Sequence, residues 1–370
     1  MSTTSTEPEE MRSAVKERIE ALKAKTSAHT AAKVAAAVPP EPDLEMGLKA
    51  GDKDSYRYSK LWNRKPPKPF PDFAVECGVF DPDEFAEEVR GYIPEDEPEY
   101  VAAPMPTAQF TIAMNKGQRI LIFGPKGSGK STMPKVYAAR TNQPFYRIPC
   151  RRDMEASDLF GSVTVRDKTL AFNDGPITLA ARHGGVVCLD EASVLQAGAA
   201  LALQYTMENN GKVILPDHPS EDPMDKQITP HDTFRIVLTD NTALGGDHTG
   251  HYVGTNVQNE AFRDRIAKTI KLGYMTTKDE IRMVNNHVPG VNKTTLAEMV
   301  RFANEVRSAF EKGNLESATV SPRTLIEWAA DGLLFGDFGL AFRYTFMNGL
   351  SPDDETVVAT LYKKVFGTSA

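Results

Sequence analysis

The chain has 370 residues, of which 41% are hydrophobic and 25% charged, an ordinary mix for a globular protein and more length than one core needs, so two or three domains are expected. A formal net charge of -7 supplies no global field that would draw the chain to nucleic acid. The three cysteines, Cys77, Cys150 and Cys188, are widely spaced without a CxxC pair or a secretory leader, which sets aside a disulfide framework and a zinc site and points to a reducing cytoplasm. The longest apolar runs, Ile120–Phe123 and 186–189, are far too short to span a bilayer.

Residues 1–69 read as a flexible tail: a Ser/Thr/Glu start, an Ala/Glu/Lys stretch and proline clusters at 39–42 and 65–69. Within it Met11, Val15, Ile19 and Leu22 recur at helical spacing, which predicts one short amphipathic helix. Residues 70–104 alternate acidic and aromatic side chains, including Phe80, Phe85, Tyr92 and Tyr100, and suggest a small N-terminal subdomain.

From 105 to 275 the rhythm is α/β. Strands are expected at 119–123, 145–148, 185–189, 234–239 and 269–272, with helices at 130–140 and 194–207. Strands alternating with helices imply a doubly wound parallel sheet. Beyond 275 the strand signals stop, and helices are expected at 278–286, 296–312, 322–334, 341–347 and 354–366, an all-helical lid domain over 276–370. An α/β core followed by a helical lid suits a nucleotide clasped between two moving parts.

Gly124, Pro125, Lys126, Gly127, Ser128, Gly129, Lys130 and Ser131 match G-x-x-x-x-G-K-[ST] at every required position, between a strand and a helix. In such a P-loop, backbone N–H groups converge on the phosphates of ATP, and the helix starting near Gly129 and running on through Thr132 adds its positive end. Lys130 would reach the β and γ phosphates, and Ser131 would offer a hydroxyl to Mg2+. Sixty residues on, the apolar strand at 186–189 ends in Asp190 and Glu191. Asp190 would hold the metal shell, and Glu191 would orient and deprotonate the attacking water.

A second apolar strand ends in Thr239, Asp240, Asn241 and Thr242, where Asn241 is placed to contact the γ-phosphate and the water. Arg263 and Arg265 close a helix-like stretch; Arg265, with Arg263 in reserve, could cross to a neighbour's ATP and stabilise the charge of transfer. Ser321 and Pro322 open a lid helix as cap and first helical residue, which turns Arg323 toward the nucleotide.

Other features carry less. His231, His248 and His251 with Asp247 fit no standard metal-ligand spacing, and the stretch Leu244 to Gly254 is glycine-rich loop. Cys188 reads as a small core residue, and the aromatics of 335–346 as lid core.

Taken together these residues resemble the MoxR branch of AAA+ ATPases, and more closely the CobS family of aerobic cobaltochelatase subunits, over roughly 75–368. Beyond the motifs above, the likeness rests on Asp158 to Gly161 with the short insert up to Gly175, on Gly246 to Gly254, on Asp264 and Arg265, and on Ser321 to Thr324. It extends to Tyr92, Ile93, Pro94 and Tyr100 near the start, and to 335–337 and 341–346 near the end.

The resemblance implies a P-loop AAA+ fold, ATP and Mg2+ as cofactors, and a homo-oligomeric ring, usually hexameric. It implies a partner carrying a VWA domain, and a client such as the large subunit that inserts cobalt into a corrin precursor. The chain would then supply force rather than the metal site. Two departures stand out: the tail 1–69 has no counterpart, and Glu191 is followed by Ala192 and Ser193 where aromatic and acidic residues are usual. A MoxR-type motor with a non-cobalamin client, such as a phage one, and a nucleotide-gated scaffold with little turnover are the competing expectations. A nucleic-acid motor is disfavoured by the acidic balance and the lack of a basic, aromatic stripe.

Overall fold

The computed structural model describes residues 56–75, 79–246, 256–316 and 319–370. The amphipathic helix expected on Met11 to Leu22, Cys77, the Asp247, His248 and His251 group and most of the 246–254 stretch lie outside them. The strands are β1 (Ile120–Phe123), β2 (Phe145–Pro149), β3 (Gly161–Arg166), β4 (Thr169–Asp174), β5 (Val186–Asp190), β6 (Val213–Ile214), β7 (Gln227–Ile228), β8 (Arg235–Asp240) and β9 (Lys268–Lys271).

Five of them form the central sheet in the order β2-β5-β8-β1-β9, every pairing parallel. The two faces follow from the period of two along each strand. Leu121, Tyr146, Ile148, Val187, Leu189, Ile236 and Leu238 enter one core with the helices Pro176–His183 and Ala197–Thr206. Their alternates Ile120, Ile122, Val186, Val237 and Ile270 enter a second core with the helices Pro104–Asn115 and Thr132–Arg140. Burial on both faces is why the inner strands β1, β5 and β8 read as continuous apolar runs, whereas β2 and β9 at the ends of the sheet do not. All the C-terminal strand ends lie along one edge. The P-loop leaves β1 there, Asp190 ends β5, and Thr239 and Asp240 end β8, which runs between the two.

The helical domain consists of Thr277–His287, Lys293–Glu311, Pro322–Phe335, Phe338–Thr345 and Pro352–Phe366, close to the expected spans. Thr276, Asn292, Ser321, Asp337 and Ser351 each accept a backbone N–H in the first turn of the helix they precede. The aromatics of 335–346 divide: Phe342 packs with Phe302, Trp328 and Tyr362 in the core, whereas Phe335 and Tyr344 are exposed. Within this domain Arg307 and Glu280 form a bidentate ion pair at 2.7 and 2.8 Å with side-chain exposures of 4% and 0%.

Three details differ from the sequence expectation. Residues 56–69, grouped there with the tail, are part of the second core: Tyr56, Tyr58, Leu61 and Trp62 are buried, and the Tyr58 hydroxyl and Trp62 indole N–H bond Thr107 and Thr111. The helix after the P-loop starts at Thr132 rather than near Gly129. The insert before Gly175 is an antiparallel hairpin, β3 with β4, whose Val163, Val165 and Leu170 face solvent.

Candidate functional site

A cavity of about 400 Å³ opens between the C-terminal edge of the sheet and the lid. Lys126, Gly127, Ser128, Gly129, Lys130, Ser131 and Thr132 form its floor, Arg147, Asp190, Glu191 and Asn241 one wall, and Met275, Met283, His287, Arg323 and Ile326 the lid side. Glu97, Tyr100 and Val101 close it from the N-terminal segment.

Two glycines explain the loop's composition. A Cβ on Gly124 would sit 1.9 Å from the Leu272 carbonyl oxygen, and one on Gly127, at φ +76°, would meet Ser321 Cβ at 2.7 Å. The second contact puts the P-loop directly against the N-terminus of the lid helix Pro322–Phe335. Gly124 and Pro125 do not line the cavity. Their carbonyl oxygens accept from Lys130 Nζ, each at 2.9 Å, and its third bond goes to Asn241 Oδ1 at 2.8 Å. Burial pulls the Lys130 ammonium down to about 8, against the opposing pull of Asp190, Asp240 and Glu191.

Asp190 is held through both oxygens: the buried Thr239 hydroxyl donates to Oδ1, and the Arg147 guanidinium pairs with Oδ2 through Nε at 2.9 Å and through Nη2. Thr239 Oγ1 also accepts from the Glu191 backbone N–H at 3.2 Å, so one hydroxyl sets both acids. Glu191 adopts the left-handed conformation, φ 59° and ψ 49°, and its exposed carboxylate faces the cavity. Asp240 is wholly buried and turns away to accept from Thr242 N, Thr242 Oγ1 and Leu244 N, a turn that leaves Asn241 as the polar tip of β8.

Arg323 is exposed and lines the lid side, on a helix capped by Ser321 with Pro322 at its first position, as the sequence implied. Arg265 does not line the cavity. Its Nη1 donates to Ala261 O at 2.7 Å, its Nη2 pairs with Glu208 at 2.8 Å, and its carbonyl accepts from Arg119, just before β1. That is the N-terminal edge of the sheet, separated from the P-loop by the length of β1, roughly 13 Å at ~3.3 Å per residue. Arg263 is exposed and holds no ion pair among the described residues.

Ser131 and Asp190 both line the cavity, and a hydroxyl with a carboxylate is an oxygen donor set that suits a hard divalent ion such as Mg2+. Among the described residues no group of three or more His, Cys, Asp or Glu could hold a metal by itself. His231 bonds Thr233 within its own turn. Sequence reasoning missed Arg147, Thr239 as the hydroxyl that sets both acids, and the N-terminal wall of Glu97 and Tyr100.

Residues 119–266 match the family described as "AAA domain (dynein-related subfamily)" and residues 280–366 that described as "CbbQ/NirQ/NorQ C-terminal". The aerobic cobaltochelatase subunit CobS of a Sinorhizobium species is 32% identical over 284 residues, 75% of this chain and 83% of that protein. The chain belongs to the CobS family of AAA+ P-loop ATPases. Protein CbbQ of Hydrogenophilus thermoluteolus is 26% identical over 64% of this chain and 82% of its own length. The denitrification regulatory protein NirQ of Stutzerimonas stutzeri is 27% identical over 59% and 73%. The two matches leave out residues 267–279, which hold β9 and the start of the first lid helix, but the P-loop, the acidic strand and the helix of Arg323 all fall inside them. Membership carries nucleotide binding with it, and among the described residues no helix is long and apolar enough to cross a membrane.

Proposed function

We propose that this chain hydrolyses MgATP in the cleft between sheet and lid, as one member of a cytoplasmic, hexameric ring whose turnover drives a partner protein. Backbone N–H groups of 126–132 and Lys130 hold the phosphates, and Ser131 with Asp190 hold Mg2+, which supplies charge neutralisation to the phosphate chain. Glu191 takes the proton of the attacking water, Asn241 orients that water, and Arg323 reads the γ-phosphate from the lid. Arg265 completes the cavity of the next copy.

The observation that carries this reading is the convergence of Lys130, Asp190, Glu191, Asn241 and Arg323 on one cavity, with Arg265 at the opposite sheet edge. A nucleotide-gated scaffold would need neither a water-activating acid nor an arginine aimed at a neighbour. The 32% identity to CobS supports a cobalt-chelatase client reached through a VWA-domain partner. A MoxR-type motor acting on another client is the second reading, favoured by the match of the lid to the CbbQ/NirQ/NorQ C-terminal family.

Mixing inactive Glu191→Gln chains with inactive Arg265→Ala chains tests it. Recovered turnover, with a particle mass well above one chain, is expected, because some cavities would pair an intact Glu191 with an intact Arg265. No recovery in assembled mixtures would overturn the shared-site ring.

A further inference from the structure

Arg147 sits in the middle of β2, on the strand beside β5, and its side chain is 59% exposed while Asp190, which it pairs with, is 15% exposed. Both of its contacts go to a single oxygen, Asp190 Oδ2, since the other is taken by the Thr239 hydroxyl. The pair closes the wall of the cavity at the carboxylate assigned above to the metal shell, and the inference rests on that assignment. A guanidinium and the shell of a divalent ion both need the outward lone pairs of that oxygen, and both are positive. They cannot use them together. Unlike Thr239, which is buried on the adjacent strand, Arg147 is a long, mostly solvent-exposed side chain that can swing off its partner at small cost.

We propose that Arg147 is a positioning residue that competes with Mg2+ for Asp190, so that metal loading releases its guanidinium into the nucleotide cavity, on the wall opposite Arg323. The pair keeps Asp190 oriented toward the cavity until the ion arrives, and couples arrival of the ion to movement of an arginine along β2. The chain then carries a cis arginine on the sheet as well as one on the lid.

The test is binding of a fluorescent ATP analogue to the full chain, titrated with Mg2+, which reads metal affinity without turnover. In Arg147→Ala the half-saturating Mg2+ concentration should fall about two- to fivefold, the range expected for a partly exposed ion pair. Arg147→Lys, which keeps the charge but loses the fork, should lie between. Because Arg147 is mostly exposed, each variant should melt like the parent, a control run alongside. An unchanged or raised Mg2+ requirement in Arg147→Ala, with Asp190→Asn still weakening the metal response, would overturn the competition and leave the metal assignment standing. A metal response untouched in Asp190→Asn would remove the assignment and the proposal together.

Discussion

Asn241 Oδ1 accepts a hydrogen bond from Lys130 Nζ at 2.8 Å, which ties the tip of β8 to the P-loop lysine across 111 positions of sequence. The strand that ends just before Asn241 lies between the P-loop strand and the acidic strand, and the proposed site would bring water and γ-phosphate to this amide beside Lys130. Asn241→Ala should lower kcat on the order of 10²-fold, the usual cost of losing one oriented polar group around a developing charge. Nucleotide affinity should change only a few-fold. Parallel turnover and binding titrations check it, and an effect confined to affinity would contradict the role.

Lys130 predicts a pH dependence of its own. Its folded-state value is pulled to about 8 by burial, below the 10.5 of an exposed lysine. Between those two values the unfolded chain binds a proton that the folded site has released, so the site's contribution to stability rises with pH across that window. Phosphate favours the charged form, so nucleotide binding above about pH 8 should take up a proton, and affinity should fall as pH rises further. Calorimetry in two buffers of different ionisation enthalpy should show that uptake, absent in Lys130→Met. Equal heats in both buffers would contradict it.

The left-handed backbone of Glu191 stores strain at the residue proposed to activate water. Glu191→Gly should abolish turnover and yet stabilise the fold by about 0.5–1 kcal/mol, the relief of a left-handed non-glycine residue less the entropy glycine adds to the unfolded chain. Urea unfolding measures it; destabilisation would mean that the carboxylate contributes more to the fold than the strain removes.

The P-loop was legible because its glycines have backbone reasons, as the Gly124 and Gly127 contacts show, and its lysine and serine have chemical ones. The lid helices were legible because Ser321 with Pro322 opens one, and Gly336 and Gly367 end two. The hairpin of β3 and β4 was not, because Val163, Val165 and Leu170 are exposed and its alternation marks no core. The segment at 56–69 was hidden by prolines and charges around a few buried rings. Arg147 could not be read at all: within a strand of alternating burial it looks like any solvent-facing side chain, and only the register of β2 beside β5 brings it to Asp190.

The Arg307–Glu280 pair lies buried within the lid. Both side chains are buried, and Arg307 also donates to Val320 O at 2.7 Å and lies over the Tyr274 ring. Arg307→Met leaves Glu280 without its partner and should cost about 3–5 kcal/mol, whereas Arg307→Met combined with Glu280→Leu should recover much of that loss. Denaturant unfolding of the three proteins decides it. Equal losses in single and double variants would mean that packing and the Val320 contact, rather than the charge pair, hold this part of the lid.

The central claim is that one cavity both binds and hydrolyses MgATP, with Glu191 as the acid that activates water. Its most direct test is ATP turnover and MgATP affinity of the assembled chain beside Glu191→Gln. The account predicts affinity within a few-fold of the parent and turnover reduced by at least about 10²-fold, the scale of a lost general base. Turnover unaffected by Glu191→Gln would contradict it.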